Sequence, residues 1–138
     1  MAATDSFRKQ HAELAEIVKQ IETALVPQKL TSDPSPVRPL LSSLIGKLSI
    51  HLAMEDNALY PRLKDHANAE VRETATKFMT EMSGIKPVVE KYAQTWTDDA
   101  IRKNAQGFCT ETRGLFTALA DRIKRENTEL YVMVDRLG

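Results

Sequence analysis

Val37-Arg-Pro-Leu-Leu41-Ser-Ser-Leu44-Ile-Gly-Lys-Leu48-Ser-Ile-His51-Leu-Ala-Met-Glu55-Asp-Asn-Ala58 is the stretch from which the rest of the chain can be read. Val37, Leu41, Leu44, Leu48, His51, Glu55 and Ala58 follow one another at alternating steps of four and three. That alternation holds side chains on one face of an α-helix. The face is apolar as far as Leu48 and then turns ionisable at His51 and Glu55. Residues four apart project together about one turn from each other. The stretch therefore predicts a helix whose buried side carries a polar site.

The same stripe recurs on either side of it. Upstream lie Phe7, His11, Leu14, Val18, Ile21 and Leu25. Downstream come Val71, Ala75, Phe78, Met82, Ile85, Val89 and Tyr92, and then Phe108, Thr112, Leu115, Leu119, Arg122, Glu126 and Leu130. Helices A to D are expected at 4–26, 37–64, 68–94 and 98–137. Four such helices, mostly joined by short loops, pack as an all-α, antiparallel up-down four-helix bundle, here a single domain over residues 1–138. Pro27, Pro34, Pro36 and Pro39 mark the A–B connection as a loop whose end starts helix B. Pro61 should loosen the end of B, and Pro87 should kink or break C. Thr97, ahead of Asp98 and Asp99, is the expected N-cap of D.

Composition narrows the function classes. With 42% hydrophobic and 28% charged residues in 138, the chain can build a sizeable core. Basic and acidic residues number 19 each, and no predicted helix carries a basic stripe, which argues against nucleic acid as a partner. No apolar run is long enough for a membrane span, and the first residues lack the apolar core of a secretory signal. Cys109 is the sole cysteine, so no intrachain disulfide forms, and a reducing cytoplasm is the expected location. A second copy of the chain or another protein remains the open class of partner. No nucleophile–base pair or phosphate loop is visible, so no enzyme activity is expected.

The polar interruptions have a pattern. His11 stands in the stripe of A, His51 and Glu55 in that of B, and Arg122 and Glu126 in that of D. Ionisable groups in a core are costly unless they pair or ligate a metal. His51-Leu-Ala-Met-Glu55-Asp-Asn-Ala-Leu59-Tyr60 also aligns without gaps on Arg122-Ile-Lys-Arg-Glu126-Asn-Thr-Glu-Leu130-Tyr131. B and D should thus offer equivalent turns to a common centre. Tyr60 and Tyr131, at the ends of the two frames, are expected near the bundle end with wet hydroxyls. Met54, Met79, Met82 and Met133 are expected as core filler, and His66 as a loop or cap histidine.

Phe7-Arg-Lys-Gln-His11-Ala-Glu-Leu14, His51-Leu-Ala-Met-Glu55-Asp-Asn-Ala-Leu-Tyr60-Pro61 and Glu126-Asn-Thr-Glu-Leu130-Tyr131 together resemble the hemerythrin-like family, also called HHE cation-binding domains. The resemblance implies a four-helix bundle holding a non-haem di-iron centre. It also implies a role in oxygen, nitric oxide, peroxide or iron handling. His11, His51, Glu55 and Glu126 would be metal ligands by that resemblance. Met82 and Arg122 stand where the family has histidines, and helix C has no histidine at all.

One missing histidine is thus replaced by a poor ligand for iron and the other by a permanent cation. Arg122 could bridge Glu55 and Glu126 in the space of the metals, or extend outward and pair with Glu126 at the surface. The favoured expectation is a degenerate site with iron absent or substoichiometric. A single weakly held divalent ion on His11, His51 and Glu55, with or without Glu126, or a di-iron pair using a substitute ligand such as Glu81, are the alternatives. In function, the alternative to metal handling is a metal-free regulatory or interaction module on the same bundle.

Overall fold

The computed structural model describes residues 4–82 and 84–137, which are helical almost throughout and contain no strand. The first arm is α1 (Asp5–Ala24), followed by the short α2 (Pro27–Ser32). The second comprises α3 (Arg38–Met54), a π-helical turn at Glu55–Leu59, and α4 (Tyr60–Lys64). The third comprises α5 (Ala69–Met82) and α6 (Ile85–Thr95). The fourth comprises α7 (Asp98–Lys103), α8 (Ala105–Arg125), a second π-helical turn at Glu126–Leu130, and α9 (Tyr131–Leu137). None of the described helices is long and apolar enough to cross a membrane.

Four expectations change in detail. The A–B connection is not wholly loop: Pro27 opens α2 at a position where its missing N–H costs nothing. Helix C breaks between Met82 and Ile85, slightly ahead of Pro87, which sits in the first turn of α6. Helix D is capped by the Thr97 hydroxyl, which accepts from Ala100 N, but the helix then stops at Asn104. The Asn104 side chain accepts from Gly107 N at 3.0 Å and caps α8 afresh. A Cβ at Gly107 would collide with that side chain, so the glycine leaves room for the cap.

The fourth change concerns the two echoed frames, since both contain a π turn at the same register. Tyr60 N–H reaches back to Glu55 O, and Tyr131 N–H to Glu126 O. At 3.6 residues per turn, each step of four rotates a side chain off the stripe by about 40°. The wider π turn absorbs that drift. His51, Glu55 and Leu59 consequently all remain buried, and Ala58, expected on the core face, is exposed. Pro61 is not the cause, because Val132 occupies the equivalent place in the second frame.

Arm-to-arm contacts close a ring, with α1 on α3, α3 on α6, α6 on α8 and α8 on α1. The apolar core falls into two parts. Leu14, Ile21, Leu44, Leu48, Phe108 and Leu119 belong to one cluster, and Leu59, Tyr60, Phe78, Leu130 and Tyr131 to the other. Burying a leucine or phenylalanine is worth about 1.5–3 kcal/mol, so each cluster clamps the four arms firmly. Between them lies a polar layer built from His11, His51, Glu55, Arg122 and Glu126, all buried. Cys109 is fully buried, with its thiol pushed up by burial, and so behaves as a small hydrophobe.

Candidate metal centre

Each arm delivers its polar residue from a rigid helical stretch. His11 comes from the middle of α1, His51 from the end of α3, and Arg122 from the end of α8. Glu55 and Glu126 are the first residues of the two π turns. One donor atom from each of His11, His51, Glu55 and Glu126 lies within 4.8 Å of the others. The four residues that the sequence marked as candidate ligands are therefore brought together.

The histidine rings are oriented from outside the cluster. His51 Nδ1 meets Gln10 Oε1 at 2.5 Å, and His11 Nδ1 meets Asn127 Oδ1 at 2.8 Å. Gln10 is itself fixed, because its amide nitrogen donates to the Met54 sulfur at 3.5 Å. An amide oxygen accepts, so each ring donates from Nδ1 and turns its Nε2 inward. Burial, with His11 nearby, pushes the pKa of His51 down to about 4, so its ring is neutral at pH 7.

The carboxylates are tied by a reciprocal pair of hydrogen bonds. Tyr60, in the first frame, donates to Glu126 Oε2 in the second at 2.7 Å. Tyr131, in the second, donates to Glu55 Oε2 in the first at 2.7 Å. Neither hydroxyl is wet: the expectation fails because the π turn swings each tyrosine into the core, where both rings are almost fully buried. Burial and the two carboxylates hold both phenols well above the ordinary tyrosine range.

Arg122 lies on the Met82 side of the carboxylates. Its Nε donates to Glu126 Oε2 at 3.4 Å, one terminal nitrogen to Glu55 Oε1 at 3.2 Å and the other to Met82 O at 3.1 Å. The carbonyl it satisfies belongs to the last residue of α5, where a helix end leaves acceptors unpaired. A longer contact, 3.7 Å, joins Arg122 to Asp56. The side chain is only 3% exposed, so it does not reach outward to a surface pair. Burial opposes its charge, but Glu126 and Glu55 outweigh burial and raise its pKa. Glu126 has its own pKa raised, chiefly by burial, and Glu55 adds to the effect.

Two contacts in the cluster lack hydrogen-bond alignment. His51 Nε2 lies 2.9 Å from Glu55 Oε1, and His11 Nε2 lies 3.2 Å from Glu126 Oε1. Yet His51 Nε2 and Glu126 Oε1 are buried atoms with no hydrogen-bond partner among the described residues.

Other candidates fall outside. Glu81 turns to Arg125 at 2.5 Å and is not a substitute ligand. His66 accepts from Asn68 N at 3.0 Å in the B–C connection. Met82 is buried beside the site, whereas Met54, expected as core filler, is 38% exposed and serves as the acceptor for Gln10. Gln10, Asn127 and Asp56 were missed by sequence reasoning. The repeat held a signal for two of them, because Asp56 and Asn127 occupy the same place in the two frames.

Comparison with curated proteins gave no match, and comparison with solved structures gave none. The family model described as the hemerythrin HHE cation-binding domain matches residues 2–134. Four helical arms around a buried His/Glu cluster are what that match leads one to expect, and the chain belongs to the hemerythrin HHE cation-binding family.

Proposed function

We propose that this chain is a hemerythrin-like domain, on an antiparallel up-down bundle, whose di-iron centre is degenerate. The observation that carries this reading is the position of Arg122, buried and hydrogen-bonded to both Glu55 and Glu126. By the family resemblance, an iron pair would take these carboxylates and further nitrogen donors from the third and fourth arms. Met82 offers only a thioether there, a soft and weak donor for iron. Arg122 offers five N–H groups and no lone pair. The residues present do not fit a metal pair.

Its part in the cell is therefore a reduced one within the family: cation binding or regulation through the bundle, rather than redox turnover. End-to-end contacts support the bundle reading. Thr4 meets Asp135, while Leu25 O accepts from Arg113, so the start of the first arm faces the end of the last.

Iron per chain, measured on untagged protein made in iron-rich medium, tests the proposal. Less than one pair per chain, with no oxo-bridge absorption band, is expected. A full pair with that band would overturn it. Met82→His together with Arg122→His should raise iron uptake; if it does not, these two residues are not what blocks the pair.

A further inference from the structure

We infer that Met54 is a site of reversible oxidation by hydroperoxides, and that its sulfoxide acts on the buried polar layer through Gln10. The inference goes beyond the degenerate-site reading and does not rest on it, because it holds whether or not the centre takes a cation.

Position separates Met54 from the other methionines. It is the last residue of α3 and lies off the buried stripe, 38% exposed, whereas Met79 is half-buried and Met82 and Met133 are buried. A thioether is oxidised where the oxidant can reach its sulfur. A sulfur lone pair forms the S–O bond as the O–O bond of the hydroperoxide breaks. Water or an alcohol leaves, the sulfur gives up two electrons and the peroxide takes them. A thiol-dependent sulfoxide reductase restores the thioether, the oxygen leaving as water while two thiols join as a disulfide.

Contact gives the modification its consequence. The Met54 sulfur accepts from Gln10 Nε2 at 3.5 Å, and Gln10 Oε1 meets His51 Nδ1 at 2.5 Å. Two consecutive hydrogen bonds therefore join an exposed sulfur to a buried ring. Both cross between the first arm, which carries Gln10, and the second. A thioether sulfur is a weak acceptor, so it holds the Gln10 amide loosely. A sulfoxide oxygen is a strong acceptor that stands outside the sulfur and takes N–H donors at about 2.9 Å, so it draws the amide to a new place. The amide is one rigid plane, and moving its nitrogen moves the oxygen that faces His51. No charge is added, so what reaches the polar layer is a displacement.

The test uses the full chain, freed of metal by a chelator, with hydrogen peroxide as the oxidant. Peptide mass spectrometry times sulfoxide formation at each methionine, while side-chain nuclear magnetic resonance follows the imidazole signals of His51 and His66. Met54 should oxidise about 10-fold faster than Met82 and Met133, and ahead of Met79. The His51 signals should move in step with Met54 sulfoxide, while those of His66, in the B–C connection, stay in place. In Gln10→Ala, Met54 should still oxidise but His51 should no longer respond. In Met54→Leu, peroxide should leave His51 unmoved; this variant alters only an exposed side chain and keeps the comparison if Gln10→Ala does not fold. Oxidation of Met79 or Met82 before Met54 would overturn the site. His51 signals that ignore Met54 sulfoxide in the wild type, or that still move in Gln10→Ala or Met54→Leu, would overturn the coupling.

Discussion

Replacing Arg122 by Met removes the only permanent cation hydrogen-bonded to Glu55 and Glu126 among the described residues, while roughly keeping the volume. Both carboxylates are fully buried, so neither can turn to water for compensation. Breaking one side of a buried ion pair costs about 3–5 kcal/mol, because the partner charge is stranded. The Met82 carbonyl also loses its guanidinium donor at 3.1 Å, worth about 1–3 kcal/mol if it stays unpaired. Apolar contacts of the new side chain return about 1–2 kcal/mol. The net is a loss of about 4 kcal/mol against a total stability of about 7–20 kcal/mol for a chain this long.

The metal-free variant should therefore melt roughly 15 °C lower than wild type, at about 4 °C per kcal/mol. Circular dichroism in the presence of a chelator reads this directly. The deficit has a pH signature. Glu126 is already held above the ordinary carboxylate range, chiefly by burial, and losing Arg122 pushes it further in that direction. A carboxyl with a raised folded pKa is stabilising below its unfolded value, and that stability is lost as pH rises through the folded value. The gap between variant and wild type should accordingly narrow from pH 7 to pH 5. Adding Glu126→Gln should also narrow it, because one stranded charge is removed. A loss below about 1 kcal/mol at pH 7 would mean that Arg122 is not what balances the centre, and the reasoning would fail.

Three further outcomes follow from single features of the fold. The chain has three tyrosines, all buried, with Tyr92 pushed up to about 12 chiefly by burial and Tyr60 and Tyr131 held well above the ordinary value of 10. Such groups stabilise the fold below pH 10 and lose that contribution as pH rises, so tyrosinate absorbance should appear in one step with the loss of helical signal; a tyrosine titrating near pH 10 in the folded protein would contradict this. Tyr60→Phe and Tyr131→Phe should each cost about 1.5–3 kcal/mol in chemical denaturation, since each removes a bond to a buried carboxylate; a neutral result for both would show that the crossed pair is not formed. Asn104→Ala should cost about 1 kcal/mol and expose the start of α8 to faster amide hydrogen exchange, and unchanged exchange at Gly107 would refute the cap.

Much of this was legible in the sequence, for identifiable reasons. A stripe such as Leu41, Leu44, Leu48 and His51 is a periodic signal that survives without any knowledge of neighbours, and all four residues are buried. The polar intruders stood out because ionisable groups on such a stripe have so few physical excuses. What stayed hidden depends on backbone geometry that the α-helical period does not encode. A regular helix through Glu55–Leu59 would put Ala58 inside and Tyr60 at a wet end, and the π turn reverses both. The Asn104 side chain restarts the helix as the cap of α8, a break that composition does not advertise against the strong stripe following it. Gln10 escaped notice because a residue that orients a ligand from behind sits off the stripe by necessity.

The measurement that bears most directly on the account is a crystal structure of the full chain grown with Zn²⁺, with anomalous scattering recorded at the zinc absorption edge. Fewer than two peaks are predicted within the centre, with Arg122 still bonded to Glu55 and Glu126. Two peaks there, or one peak with Arg122 displaced to the surface, would contradict it.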